Sequence, residues 1–241
     1  MTEVLSVHGL VKRYSGKTVV NGVSFTVRSG TIFGLLGPNG AGKTTTFKMI
    51  MGIVRPDGGE VMIGSDPIGS LPMYRRARLG LGYLAQEPAV ISSFTVEENI
   101  YALLEARGVP LKAAKARASD LLEEMRLTYL LGKKASYLSG GERRRLEIAR
   151  TLSFDPKVLL LDEPFSGIDP KSVEEIQEHI VELKHRGLGI LLTDHNVRET
   201  FSITDSACII EKGMIIAAGS PEELVNDSRV RETYLGRKFR L

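Results

Sequence analysis

Cysteine is almost missing from this chain, which carries a single one, Cys208, among 241 residues. One thiol excludes an intrachain disulfide framework and suits a reducing compartment. It sits in the apolar run Ala207-Cys208-Ile209-Ile210, where a small buried hydrophobe is the default. Long hydrophobic stretches are also missing. No run of about 18 apolar residues occurs, so no membrane span is expected. Met1-Thr2-Glu3-Val4 leads straight into an alternating pattern without a signal-peptide core. A soluble, cytoplasmic chain is expected, and any membrane process must take its membrane part from another chain. Charge of one sign is scarce, the net value being +3. Nucleic-acid binders show a stronger and more clustered basic excess, so no nucleic acid is expected as a partner. The local runs Arg75, Arg76, Arg78 and Arg143, Arg144, Arg145 are expected to be solvated helix faces.

What is present suits one large α/β domain, with 42% hydrophobic and 25% charged residues. Ile32-Phe33-Gly34-Leu35-Leu36, Val158-Leu159-Leu160-Leu161 and Ile190-Leu191-Leu192 are continuous aliphatic runs. They fit strands buried on both faces of a mainly parallel sheet flanked by helices. Segments near Val4–Val11, Val19–Val27 and Glu60–Ile63 alternate apolar with polar residues and predict an antiparallel side sheet. From Thr95 to Leu138 the pattern turns helical. It opens on a capping box at Thr95-Val96-Glu97-Glu98 and shows an apolar face at Leu121, Leu122 and Met125. The expected layout is a core of about residues 1–90 and 155–241, with a helical lobe inserted at about 91–154.

Gly37-Pro38-Asn39-Gly40-Ala41-Gly42-Lys43-Thr44 has the form G-x-x-x-x-G-K-[ST], between a buried strand and a helical Thr44–Met51. Glycines let the backbone wrap phosphate so that its N–H groups point inward, and the following helix adds its positive end. Lys43 supplies charge for the β- and γ-phosphates, and the Thr44 hydroxyl is a candidate Mg²⁺ ligand; Thr45 completes the candidate nucleotide residues. Asp162 and Glu163 close the strand of Val158, at the sheet edge where open α/β folds bind ligands. Asp162 is a candidate Mg²⁺ holder, and Glu163 a candidate base for the water that attacks the γ-phosphate.

Leu138-Ser139-Gly140-Gly141-Glu142 precedes an Arg-rich helix. Ser139 and Glu142 form a capping box, but two glycines weaken a helix by about 1 kcal/mol each in its interior. A purely structural cap would gain little from them, so a close approach to an anion is expected.

With these motifs the chain resembles the ABC-transporter ATPase family, whose signature is the segment just quoted. The resemblance implies a P-loop fold of ABC type, ATP and Mg²⁺, and roles for further residues. Tyr14 would stack the adenine ring, and Gln86 would contact Mg²⁺ and sense the membrane partner. Asp169 in Ser166-Gly167-Ile168-Asp169 would lie on the inter-subunit loop, where, followed by Pro170, it also makes a good N-cap. His195 would be the γ-phosphate switch. The resemblance further implies a dimer of identical chains, in which Ser139, Gly140, Gly141 and Glu142 of one face the phosphate loop of the other. Two integral membrane subunits would dock near Gln86–Leu104. Within the family, Glu142-Arg143-Arg144-Arg145, Thr193 through Thr200, and the ending Tyr234-Leu235-Gly236 through Phe239-Arg240-Leu241 resemble the ATPases that drive lipopolysaccharide export in Gram-negative bacteria. Ile91-Ser92-Ser93-Phe94 departs from that group, in which an aromatic and basic residues are expected. Branched-chain amino-acid importers are the alternative. Soluble family members would show two cassettes or a long coiled-coil insert, and neither is present.

Overall fold

The computed structural model describes residues 2–87, 89–236 and 239. Two sheets organise them. The first is antiparallel and contains β1 (Glu3–Tyr14), β2 (Lys17–Arg28), β4 (Gly58–Ile63) and the short β5 (Asp66–Pro67), in the order β2-β1-β4-β5. Alternation sets its inner face: Leu5, Val7, Val20, Val23, Val27 and Val61 have no exposed surface.

The second sheet has the order β10-β9-β3-β8-β7-β6. Its strands are β3 (Ile32–Leu36), β6 (Leu81–Leu84), β7 (Val158–Asp162), β8 (Gly189–Thr193), β9 (Ser206–Glu211) and β10 (Met214–Gly219). The central pairings are parallel, and only β10 runs antiparallel, on β9. Every residue of β7 and β8 is buried, as their unbroken aliphatic runs predict; each such side chain contributes about 1.5–3 kcal/mol of transfer free energy. Cys208 is fully buried in β9, and burial pushes its thiol pKa up, so it packs as a hydrophobe.

Helices cover the parallel sheet. They are α1 (Lys43–Met51), α2 (Met73–Arg78), α3 (Glu98–Ala106), α4 (Leu111–Glu124), α5 (Gly140–Leu152), α6 (Pro170–His185), α7 (Val197–Phe201), α8 (Pro221–Asn226) and α9 (Ser228–Val230), followed by a π-helical turn, Arg231–Leu235. The capping box at Thr95 forms, with Thr95 N–H on Glu98 at 2.7 Å and Glu98 N–H on Thr95 Oγ1 at 3.3 Å. Leu121, Leu122 and Met125 then enter one hydrophobic cluster together with Leu159, Leu161 and Ile176. That cluster joins the inserted helices to the sheet. No helix among the described residues is long and apolar enough to cross a membrane.

The arginine runs are solvated only in part: Arg75 and Arg78 are exposed and Arg143 is half-buried, but the other three are buried. Arg76, Arg144 and Arg145 are 1%, 7% and 6% exposed. Arg76 donates to the carbonyls of Leu71, Met49, Ile50 and Gly69, and so caps the end of α1. A guanidinium has five donors in a rigid fork, enough for carbonyls to satisfy it without a carboxylate. Arg145 pairs with Glu175 of α6.

Candidate functional site

The C-terminal ends of β3, β6, β7 and β8 open on one edge of the sheet, and the predicted residues follow them. The loop after β3 holds Gly37, with φ 148°, Gly40, with φ 76°, and Gly42, with φ 110°. A side chain at Gly42 would meet the Val19 carbonyl at 2.8 Å, so that glycine is fixed by the side sheet as well as by its torsion. Lys43 is buried at the start of α1, donating to the carbonyls of Gly37 at 2.6 Å and Pro38 at 3.1 Å. Desolvation lowers its pKa, opposed by the charges of Glu163 and Asp162. Thr44 is exposed on the same turn, Thr45 is half-buried, Ala41 is buried, and Pro38 and Asn39 rim the loop.

Glu163 is the meeting point. One of its oxygens, Oε2, accepts from Gln86 Nε2 at 2.6 Å and contacts His195 Nε2 at 2.7 Å. Its backbone is left-handed, at φ 52°, an unfavourable conformation for a residue with a side chain. The N–H of Glu163 bonds the Thr193 carbonyl at 2.7 Å, which ties the end of β7 to the end of β8. Asp162 beside it is buried. Desolvation and the charge of Glu163 raise its carboxyl pKa, against a hydrogen bond from Tyr83 at 3.3 Å. The buried Asp162 and half-buried Glu163, with the amide of Gln86 on Glu163 and the exposed Thr44 hydroxyl on the loop after β3, are oxygen donors of the kind that fits Mg²⁺.

The signature residues stand apart from this cluster. Ser139 caps α5 through Glu142 N–H at 3.3 Å, and Glu142 returns a bond to Ser139 N–H at 2.7 Å. Ser139 and Gly140 are exposed. Ile168 and Gly167 lie beside Gly140, and no described contact joins Ser139 or Gly140 to the phosphate loop of the same chain. Gly141 has a structural reason that the sequence did not reveal. A Cβ there would lie 2.5 Å from Ser172 Cβ on α6, so the glycine lets two helices touch. Ser172 in turn bonds Asp169, its hydroxyl on Oδ2 at 2.6 Å and its N–H on Oδ1 at 3.1 Å. Tyr14 ends β1 and is 45% exposed, with the Lys12 ammonium 5.4 Å from its ring centre.

Sequence reasoning missed two residues that hold the site. Arg144, one turn into α5, donates to the carbonyls of Ala85, Asp162, Glu163 and Pro164 and to Glu147. Asp194 accepts from Phe165 N–H at 3.0 Å and Asn196 N–H at 2.9 Å, bracketing the loops that carry Glu163 and His195. Neither has a local signal: the i, i+3 spacing of Arg144 and Glu147 reads in sequence as an ordinary helix pair, and Asp194 as a strand-end turn.

This edge, with a lysine-bearing loop after β3 and paired carboxylates at the end of β7, one strand removed across β8, defines a P-loop nucleotide hydrolase. Known proteins agree. The ABC transporter family model matches residues 20–166, and a model for the branched-chain amino acid ATP-binding cassette transporter matches residues 214–240. The chain is 48% identical to the lipopolysaccharide export system ATP-binding protein LptB of Haemophilus influenzae, covering 99% of each. It is 50% identical to that of Acidithiobacillus ferridurans, over all of both chains. Among solved structures, the ADP conformation of an ATP-binding cassette of an ABC transporter superposes with a TM-score of 0.89 at 29% identity, covering 98% of this chain and 100% of that one. A nucleotide-free ATP-binding cassette superposes with a TM-score of 0.88 at 28% identity, with the same coverage. The chain belongs to the ABC transporter family and is one of its ATP-hydrolysing cassettes.

Proposed function

We propose that this chain is the ATPase subunit of a lipopolysaccharide exporter, one half of a two-site homodimer docked under two integral membrane subunits at the cytoplasmic face of the inner membrane. The cargo reading rests on relatives 48–50% identical over essentially their full length. The matched C-terminal model favours a second reading, a branched-chain amino-acid importer, over a shorter stretch.

One observation carries the chemistry: Glu163 holds Gln86 and His195 on a single carboxylate oxygen. Glu163 is the base that takes a proton from the attacking water. His195 and Gln86 orient it, and each is released from Glu163 by exchanging that contact for nucleotide or water. Lys43 leaves the Gly37 and Pro38 carbonyls to meet the β- and γ-phosphates, with the glycine loop and the N-terminus of α1 around them. Thr44, Gln86 and Asp162 hold Mg²⁺, which when bound neutralises charge on the phosphates. Tyr14 stacks the adenine.

Ser139, Gly140, Gly141 and Glu142 act in trans. With Ser139 and Gly140 exposed, the segment completes the site of the second copy, with Asp169 at the boundary, under two-fold symmetry. ATP binds the closed dimer better than the open one, and that difference is the free energy available to the membrane subunits docked near Gln86–Leu104.

In the Glu163→Gln protein ATP still binds while turnover falls by about 10²–10⁴, the usual contribution of a general base. Hydrolysis at the wild-type rate would remove Glu163 from the role. The cargo is tested by purifying the chain in mild detergent with its membrane partners and adding lipopolysaccharide or branched-chain amino acids. Stimulation of ATPase by lipopolysaccharide alone is expected; stimulation by the amino acids alone would establish the second reading.

A further inference from the structure

The ring of Tyr14 stands at the end of β1, 45% exposed, and a lysine is fixed over it. Lys12 and Tyr14 are two residues apart on one strand, so their side chains leave the same face. The Lys12 ammonium lies 5.4 Å from the ring centre. It also donates to the Arg55 carbonyl at 2.8 Å and to Asp57 Oδ1 at 2.9 Å. An ammonium has three N–H donors, and two hydrogen bonds and the ring account for them. Asp57 is held in turn: its Oδ2 accepts from the Arg13 N–H at 2.7 Å, and its own N–H bonds the Val11 carbonyl at 2.8 Å.

A lysine near a surface usually ranges freely on a four-carbon stem. Here the side chain is 13% exposed, and the segment between α1 and β4 that supplies Arg55 and Asp57 pins it in one place. Such a cation attracts the face of the ring that it covers. It holds the ring's orientation and leaves the opposite face for a flat partner. The hairpin puts that face near the phosphate loop. Val19 and Val20 of β2 lie against the Gly42 turn, and Tyr14 pairs with Lys17. Lys17 is two residues from Val19, about 7 Å at the rise of a strand. A base that stacks on a ring already in place loses less freedom than one that must order the ring as it binds.

We infer that Lys12, held by Asp57, is a positioning residue for the nucleotide base: it fixes the Tyr14 ring for stacking and takes no part in gripping the phosphates. The inference rests on the stacking role proposed above for Tyr14. It gives a function to the charged pair that joins the side sheet to the segment after α1.

The test is Lys12→Met in the full-length protein, which removes the ammonium and keeps a long apolar stem. Losing one cation–ring contact at a partly exposed site raises KM for ATP about twofold to fivefold, with kcat within about twofold. Inorganic tripolyphosphate, which has no base, measures the phosphate grip by itself, and its Ki against ATP stays within about 1.5-fold. Asp57→Ala, which frees the ammonium, raises KM for ATP in the same way. In a Tyr14→Ala protein KM for ATP is already raised, and Lys12→Met adds nothing to it. An unchanged KM in Lys12→Met, a tripolyphosphate Ki raised as much as KM, or a full further rise in the Tyr14→Ala background overturns the inference. A Tyr14→Ala protein with the wild-type KM removes the stacking reading itself, and this inference with it.

Discussion

Replacing Gly141 by alanine isolates the packing between the signature helix and α6. The new Cβ would sit 2.5 Å from Ser172 Cβ, and closer still to its hydroxyl. Carbon atoms rest about 3.5–4.0 Å apart, so rotating the serine is not enough and the two helices must part by about 1 Å. Overpacking of this kind costs about 1–3 kcal/mol, while the change from glycine to alanine in a helix returns up to about 1 kcal/mol. At Gly140 the nearest atom to a new Cβ is Ile168 Cγ2, at 3.3 Å, which a small side-chain shift absorbs. Helix propensity acts alike on both positions, so Gly141→Ala melts below Gly140→Ala by about 1–3 kcal/mol. In a chain of this size each kcal/mol is worth about 2–4 °C. Parallel thermal melts measure the gap. The variant Gly141→Ala with Ser172→Gly, which removes the opposing Cβ, recovers most of it. The displaced Ser172 also lets go of Asp169, so ATP turnover falls further than the melts alone require. Equal melting temperatures for the two alanine variants would refute the packing argument.

Other groups make separate predictions. Burial and Glu163 raise the pKa of Asp162, so the folded chain takes up this proton at a higher pH than the unfolded one. The stability it supplies is present at low pH, is lost as pH rises through the raised value, and stays lost at neutral pH. Asp162→Asn therefore raises Tm at pH 7 without nucleotide or Mg²⁺, a gain that shrinks as pH falls toward the ordinary carboxylate range; a lower Tm at pH 7 contradicts this. Arg76→Met strips four carbonyls of their donor and lowers stability by about 3–5 kcal/mol. Denaturant titration reads this as a lower midpoint at unchanged slope, and Arg76→Lys, lacking the fork, recovers only part of it.

Signals carried by neighbouring residues were legible in the sequence. The aliphatic run Val158–Leu161 could only be a strand buried on both faces, and the loop from Gly37 to Thr44 announced its chemistry by spacing. The carboxylates at 162 and 163 followed because a strand end is visible wherever its run stops. What stayed hidden depends on partners far away in the chain. Arg76 and Arg144 looked like surface charges because nothing local shows that carbonyls will converge on them. Gly141 looked like a ligand glycine because its reason, Ser172, lies on another helix. Beyond His195 the strands Ser206–Glu211 and Met214–Gly219 and the turn Arg231–Leu235 were not anticipated. Short elements there take their shape from the core they cover.

Whether two chains share each nucleotide is decided most directly by mixing two defective proteins, both also carrying Glu163→Gln so that ATP is held. Lys43→Ala destroys the phosphate loop and Ser139→Arg blocks the signature, so neither alone dimerises with ATP. In a mixed pair of shared sites, both defects fall in one site and the other is intact. Light scattering should therefore show an ATP-dependent dimer only in the mixture, holding one nucleotide per pair. A mixture that stays monomeric with ATP, or a Ser139→Arg protein that dimerises alone, would contradict the shared site.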